Sequence, residues 1–572
     1  MAREAYDIAA EVLLRVYSIT INRGKLACWN RSGGAAPPRV AELDTPSHVV
    51  WRADVQPVDN GIVVLGSPIG SPEFVRAHGE QLVAQERILV DRILDMPSLQ
   101  CAWLLLLYCA APRANYCLRT VPPDLIRSYA ENHDRLVLAA LSNLLQLEVA
   151  NPGAGEFWVR QAQLPFRLGG LGLRNSFRTS AAAYWASWAD CLHPLAERFP
   201  QCVQAFLQHL ESEDSHSNAT LTAARNAGVL LDGRGFANRP SWRQLFAGVR
   251  PEQVPVEGRE PGEWEHGWQF HASDPLEQHE HFALLGDLED SAVDRPAAGP
   301  ARLRSCAGRG ASVWLTVCPT STLLCLDCPL MLGALRLRLG LLVPQSNSGR
   351  CEGCGSVLDD LGYHRLTCTR TARLHARHFS LVQAWRQVFV EAGGRVPRRN
   401  VERLLRNCNV RVTERFQRRL DLVVAGTGVA RGLPLLCDVT CVSPVTGRGT
   451  ARSGALSTDG AVVAAAQRHC HVVDYPEVAG SRSGRLFCLG VEVFGRWCED
   501  SLFVVRNAAR DCSRGLPRRV RLSTHTRLLR RWWGLLGLAV QRVVGESLLR
   551  DSGADLLSCL EERAPRVADL PC

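Results

Sequence analysis

The stretch CEGCGSVLDDLGYHRLTC places Cys351, Cys354, His364 and Cys368 in a C-x2-C-x9-H-x3-C spacing. Two thiolates on a short turn ending in Gly355 can approach one ion. A histidine and a cysteine four apart can close the tetrahedron from one face of a short helix. That is the chemistry of a structural zinc site. The competing account is four unrelated residues in a chain with 22 cysteines; agreement of all four donors with the turn glycine favours the metal. Cys325 and Cys328 make a second C-x2-C with no matching downstream pair and read as buried thiols. Asp359 and Asp360 lie between the zinc ligands with no strand signal before them. They read as solvated loop acids, not as a polymerase metal pair.

A second constellation is built on carboxylates. RRLDLVVAG (Arg418–Gly426) and LPLLCDVTCVSP (Leu433–Pro444) both read as strands, and the glycine-rich turn between them makes a hairpin. Hairpin partners on one face can bring Asp421 and Asp438 to one hard divalent ion, magnesium or manganese. Such an ion activates water and steadies charge on a phosphodiester. Asp459 and Gly460 open the alanine-rich helix AVVAAAQRHCHVVDY, on which Arg468, His471 and Tyr475 share one face at i, i+3, i+7. The strand LFCLGVEVFG follows and carries Glu492. Hairpin, helix and strand with carboxylates is the layout of a metal-dependent nuclease core. Asp421, Asp438, Arg468, His471 and Glu492 are its catalytic candidates. The same residues also admit a structural account, with Asp438 holding a loop at a strand end and Asp421 exposed.

The elements that must position these groups follow from periodicity. Residues 1–17 put Ile8, Val12 and Val16 on one helical face with charges interleaved. A strand is expected around Ser18–Asn22, and GIVVLGSPIG (Gly61–Gly70) reads as a buried strand entering a tight turn. From Glu73 to about Gln208 the pattern is helical, with Leu104, Leu107 and Tyr108, and Leu136, Ala140 and Leu144, at helical spacing. The glycines of LPFRLGGLGLRNS (Leu164–Ser176) require a loop. Residues 251–300 are acidic and poor in aliphatics and read as a linker or poorly ordered insert. Cys325–Pro344 contains a helix that faces a core with Leu332, Leu335 and Leu339. The adjacent Trp532 and Trp533 in RRWWGLLGLAV could stack on bases but fit a core better.

With 572 residues, 46% hydrophobic and 22% charged, the chain has an ordinary globular composition and room for several cores. Lys25 is its only lysine, so the remaining 65 of its 66 basic residues are arginine. GC-rich codons explain most of that bias, yet arginine forks also suit phosphate oxygens. The charge is uneven. Residues 251–300 hold 2 arginines and 12 acids, whereas residues 395–572 hold 29 arginines and 17 acids. A basic C-terminal third points to a polyanion partner, and SRGLPRRVRL (Ser513–Leu522), with Arg518, Arg519 and Arg521, is its densest stretch. No secretory signal is visible, so the cysteines are expected as thiols or metal ligands. The longest apolar run, Cys101–Pro112, is too short to span a bilayer, and no membrane partner is expected.

Taken together, these segments resemble the C-terminal part of a non-LTR retrotransposon polyprotein of the restriction-like-endonuclease type. TINRGKLACWN resembles the fourth palm motif of reverse transcriptases, whose lysine lies near the incoming nucleotide's phosphates, and Lys25 matches that position. GIVVLGSPIG resembles the next element, which grips the primer end. The helical stretch after it looks like the polymerase thumb, and zinc knuckle and acidic hairpin follow in the family's order. DGAVVAAAQRHCHVVDYPE and GVEVFGRW are similar to retroelement-derived proteins common in dinoflagellate-like genomes.

The resemblance implies a multidomain α+β chain. Its parts are a palm remnant (1–72), a helical thumb-like region (73–250), an acidic linker (251–300), a helical connector (301–345), a CCHC zinc knuckle (346–392) and a C-terminal α/β restriction-endonuclease-like domain (393–572). It implies DNA or RNA as partner, contacts from Lys25 and the 518–521 arginines, and a nuclear location that follows from a DNA partner. Two departures matter. Asp7 is the only aspartate before Lys25, so the catalytic palm is missing and no copying of nucleic acid is expected. In the nuclease, the family's proline before the first aspartate is Leu420, and the helical lysine four residues before the tyrosine is His471. His471, with an ordinary pKa of about 6.5, is mostly neutral at physiological pH, and Arg468 is a poor base. Cleavage is therefore expected to be slow. The alternative is a zinc-containing scaffold that binds nucleic acid or protein without cleaving.

Overall fold

Ser71 begins the long helices. Its hydroxyl accepts the Phe74 amide at 3.0 Å, and a proline follows it at the first helical position of Pro72–Leu94. The structure, a computed structural model, describes residues 2–147, 157–212, 218–252, 267–291, 298–343, 349–370, 373–397, 420–479 and 484–549. It is mostly helical (61%) with a small sheet fraction, an α+β arrangement. No described helix is long and apolar enough to cross a membrane.

The front of the chain departs from expectation. Ser18–Asn22 joins no strand; the first helix, Ala2–Tyr17, leads into a loop and a 3₁₀ turn over Arg23–Lys25. GIVVLGSPIG is an antiparallel hairpin, β1 (Gly61–Val64) with β2 (Ser67–Gly70), rather than one buried strand. Leu65 and Gly66 both have positive φ, 50° and 85°, as a tight two-residue hairpin turn demands. Val63, Val64 and Ile69 face outward.

The acidic stretch is also corrected where it is described. Trp268–Asp290 is a helix, with Trp268, Ala272 and Leu276, then Leu284, Leu285 and Leu288, buried. Its acids do not solvate a linker. They pair with the neighbouring helices: Glu280 and Asp287 with Arg160, Glu277 with Arg178, Asp274 with Arg167. The high acid count conceals an apolar stripe of helical period. Residues 253–266 and 292–297 of that stretch lie outside the described residues.

The main core crosses the boundaries drawn from the sequence. It runs from Val90, Trp103 and Leu141 through Trp314 and Leu335 to Trp385, Leu435, Phe487 and Trp532. A second core gathers around Trp185, whose ring meets Phe236 and Trp268 edge-on at 5.5 and 5.9 Å. The tryptophan pair is core as expected: Trp532 and Trp533 are buried, and the Trp532 indole donates to Glu391 Oε2 at 3.0 Å.

The sheet that carries the carboxylates has order β3–β4–β5. β3 (Leu422–Val424) runs antiparallel to β4 (Leu435–Val442), and β4 runs parallel to β5 (Arg485–Glu492). A parallel pair needs a crossover, supplied by the helix Ala461–His469 and the turn after it. Strand alternation then decides which residues meet. Leu435, Cys437 and Val439 enter the main core, while Leu436 joins Cys470, Tyr475, Leu486 and Cys488 under the crossover.

Candidate metal centre and carboxylate site

The knuckle is a short β-turn device followed by one helical turn. Arg350 bridges Val357, the Cys351 amide donates to Ser356 O at 2.8 Å, and the Gly355 amide returns to Cys351 O at 2.8 Å. Gly355 sits at φ +71°, where a side chain would be strained. His364 is aimed by Tyr363–Thr367, and that helical turn is held by Asp359. Its carboxylate accepts the amides of Leu361 (3.1 Å), Tyr363 (2.9 Å) and His364 (2.6 Å). Asp359 is thus a cap that orients a ligand, not a solvated loop acid.

Cys351 Sγ lies 3.7 Å from Cys368 Sγ, and Cys354 Sγ lies 3.2 Å from His364 Nε2. A tetrahedral ion with zinc's bond lengths needs edges of about 3.8 Å between sulfurs and about 3.5 Å between sulfur and nitrogen. All four donor atoms fall within 4.8 Å of one another. The group can therefore hold a metal such as zinc. The Cys354 thiol is drawn down to about 6, chiefly by hydrogen bonding to Ser356, which favours the thiolate a metal requires. The knuckle is fixed to the rest of the protein. Arg365 donates to Leu548 O, Arg377 Nη1 donates to Leu366 O at 3.0 Å, and the loop after β4 presses Gly447 against Thr367. Cys325 and Cys328 are only partly buried; the Cys328 thiol donates to Pro97 O.

The carboxylate site sits where β3 begins. The Asp421 amide donates to Cys437 O at 3.1 Å, and Asp421 Oδ2 accepts the Val439 amide at 2.7 Å. Asp421 Oδ1 meets His378 Nε2 at 2.9 Å. Asp438 Oδ1 accepts the Tyr475 hydroxyl at 3.2 Å. Burial, and then Asp438, push the Tyr475 phenol up, so it stays a donor. The Asp421 hydrogen bond raises the His378 pKa despite partial burial.

Of the expected catalytic set, Asp421 and Asp438 stand on neighbouring chain segments, Asp421 turned to His378 and Asp438 to Tyr475, and the other three lie apart. His471 Nε2 is 2.7 Å from Asp500 Oδ2, which also accepts the Cys488 amide at 2.8 Å. Arg468 is exposed and, among the described residues, makes no hydrogen bond or ion pair. Glu492 is buried and accepts the Val463 amide at 3.1 Å, fixing the start of the crossover helix. Asp438 registers with Cys488, four residues earlier on β5, so Glu492 stands about 13 Å along the strand. Among the described residues the cysteine–histidine set is the only group of three or more with metal-ligand spacing. Magnesium or manganese at the aspartates gains no third ligand there. Lys25, Arg518, Arg519 and Arg521 are exposed, and Arg521 folds back onto Leu516 O at 3.1 Å.

His378 is the residue the sequence did not disclose. It lies 43 positions before Asp421, on the helix Arg373–Glu391. That helix shows an apolar stripe of Leu381, Trp385 and Val388, but nothing local ties it to β3. No family model and no curated protein matches the chain.

Proposed function

We propose that the chain is a retroelement-derived nucleic-acid-binding protein with a structural zinc, and that Asp421 and Asp438 form a weak, divalent-metal-dependent DNA-nicking site. The observation that supports it is that Asp421 accepts the Val439 amide, next along β4 to Asp438, whose own carboxylate accepts the hydroxyl of Tyr475 at the end of the crossover. Exposed arginines at 518, 519 and 521 and the basic C-terminal third supply phosphate contacts. A bound magnesium or manganese would polarise the phosphodiester and lower the pKa of water. Asp421 and Asp438 would hold it, Tyr475 would keep Asp438 oriented, and His378 would accept the proton of the attacking water. His378 is preferred to His471 because the carboxylate it pairs with is one of the two aspartates, whereas His471 pairs with Asp500, outside that set.

One observation favours the second reading, a zinc-organised binding scaffold without cleavage. Both Asp421 oxygens are already engaged, by His378 and by the Val439 amide. The test uses the full chain with supercoiled DNA and magnesium or manganese, beside Asp438→Ala. Slow nicking that disappears in Asp438→Ala supports the nuclease. Salt-sensitive binding without nicking, unchanged in Asp438→Ala, supports the scaffold.

A further inference from the structure

The helix Glu499–Arg514 divides its surface by chemistry. Val504, Val505, Ala508 and Ala509 are buried in the core that also holds Leu435, Cys437 and Val439 of β4. Successive residues turn by about 100°, so Phe503, Arg506, Asn507, Arg510 and Arg514 share the opposite arc. The next helix, Arg518–Leu549, begins a short turn later with Arg518 and Arg519. Arg510, Arg514, Arg518 and Arg519 are exposed, and among the described residues their guanidinium groups make no hydrogen bond or ion pair. Arg160, Arg167 and Arg178, by contrast, are each matched by acids. The acids near the basic row are engaged elsewhere. Asp511 accepts the Gly428 amide at 2.6 Å, Asp500 meets His471, and Glu391 is taken by Arg531. Glu499 shares the arc, but at the first turn, about 16 Å along the axis from Arg510.

Charge and geometry together say what this row fits. Arg506, Arg510 and Arg514 follow one another at about 6 Å along the axis. A polymer of evenly spaced phosphates can track such a row, and guanidinium forks suit its oxygens. Single strands are held by stacking bases on free aromatic rings. The ring on this arc is not free: Phe503 stacks on Phe487 with centroids 5.8 Å apart, and the Arg485 guanidinium lies 5.2 Å from Phe503 and 5.3 Å from Phe487. The row therefore suits the outside of a duplex. Its place in the fold matters as well. Cys437 and Val439 point into the core beneath Glu499–Arg514, so Asp438 between them projects from the other face of the sheet, toward Tyr475. We infer that the outer arc of Glu499–Arg514 and the exposed start of Arg518–Leu549 form one surface for the phosphate backbone of duplex DNA, set on the far side of the sheet from the carboxylate pair. This rests on the nucleic-acid-binding reading and not on cleavage.

Fluorescence anisotropy of a labelled DNA duplex with the zinc-loaded full chain, repeated across salt concentrations, tests it. Arg510→Gln with Arg514→Gln removes two charges at exposed positions and should leave the helical circular dichroism intact. It should weaken binding about tenfold and reduce the slope of log affinity against log salt by about 2. The control pair Arg87→Gln with Arg92→Gln takes the same charge from exposed positions on the helix Pro72–Leu94 and should leave that slope unchanged. Asp438→Ala should bind as wild type does. A wild type that binds with a slope indifferent to Arg510→Gln and Arg514→Gln would overturn this surface alone. Absence of salt-sensitive binding in the wild type would overturn the nucleic-acid reading along with it. An equal fall in the control pair would assign binding to net charge rather than to this face. Tighter binding of single-stranded DNA, or of anionic phospholipid vesicles, would assign the face to a different ligand and overturn the inference as well.

Discussion

Two histidines near the sheet illustrate how a single residue's neighbours assign its role. His471 shares Asp500 with the Cys488 amide, so it braces the crossover turn against β5. His378 shares Asp421 with the Val439 amide and stands half-exposed beside the carboxylate pair. His471→Ala should therefore lower stability by about 1–2 kcal/mol through the orphaned Asp500, read as a shifted urea midpoint. His378→Ala should leave that midpoint within about 0.5 kcal/mol while abolishing any nicking. If His471→Ala instead removed nicking at unchanged stability, the assignment of roles would be reversed. Asp359 is tested in the same way. Asp359→Ala strips three amide contacts from the turn that aims His364. It should cost about 1–2 kcal/mol and loosen metal binding without touching a ligand. A colorimetric chelator competition would show zinc released at lower chelator concentration; release identical to wild type would mean that His364 is aimed by something else.

Elements were legible to the extent that their information is local. The zinc ligands, the hairpin of β3 and β4, and the crossover helix could be read because each is a spacing or a period within one short window. Trp268–Asp290 was not, because its acids, which neutralise Arg160, Arg167 and Arg178, hide the apolar stripe. The helix pair Pro72–Leu94 and Pro123–Leu144 carries a further feature that no window shows. Glu86 is buried between Tyr129 Oη at 2.6 Å and His133 Nδ1 at 2.7 Å, while His133 Nε2 lies 3.2 Å from Ala111 O. Both ring nitrogens face acceptors, an arrangement that favours the protonated ring. Burial opposes that charge, but Glu86 and Asp134 outweigh it and the His133 pKa is raised, with Arg113 and Cys117 the other ionisable groups around Glu86. A raised folded value stabilises fully below the unfolded pKa of about 6.5, and the contribution is lost as pH rises through the folded value. Urea midpoints measured upward from that pH should fall, and His133→Gln should flatten the curve. An equally steep fall in His133→Gln would place the titrating group elsewhere.

At the scale of the whole molecule, the continuous core makes the helical first half part of the sheet's stability. Gln100, buried on the helix Leu99–Leu105, donates to Val317 O at 3.0 Å and Leu324 O at 3.1 Å and accepts the Leu326 amide at 2.8 Å. Trp103 adds an indole bond to Leu315 O at 2.8 Å. The segment they grip packs on the closing helix Arg518–Leu549, where Trp314 lies against Gly537 and Arg542 reaches Cys325 O at 2.7 Å. That helix in turn packs on the helices Arg373–Glu391 and Glu499–Arg514, which pack on β4 and β5 respectively. A chain so connected unfolds as a unit, unlike one whose domains sit at the ends of linkers. Gln100→Ala leaves two carbonyls and an amide buried without partners, a loss of about 3 kcal/mol. Because the core is shared, the loss should reach the sheet: amides of Leu435–Val442 should exchange faster in Gln100→Ala by the same free energy as those of Leu99–Leu105. Protection of β4 unchanged by Gln100→Ala would mean that the C-terminal region holds itself together, and that the nicking site could be studied without the first half.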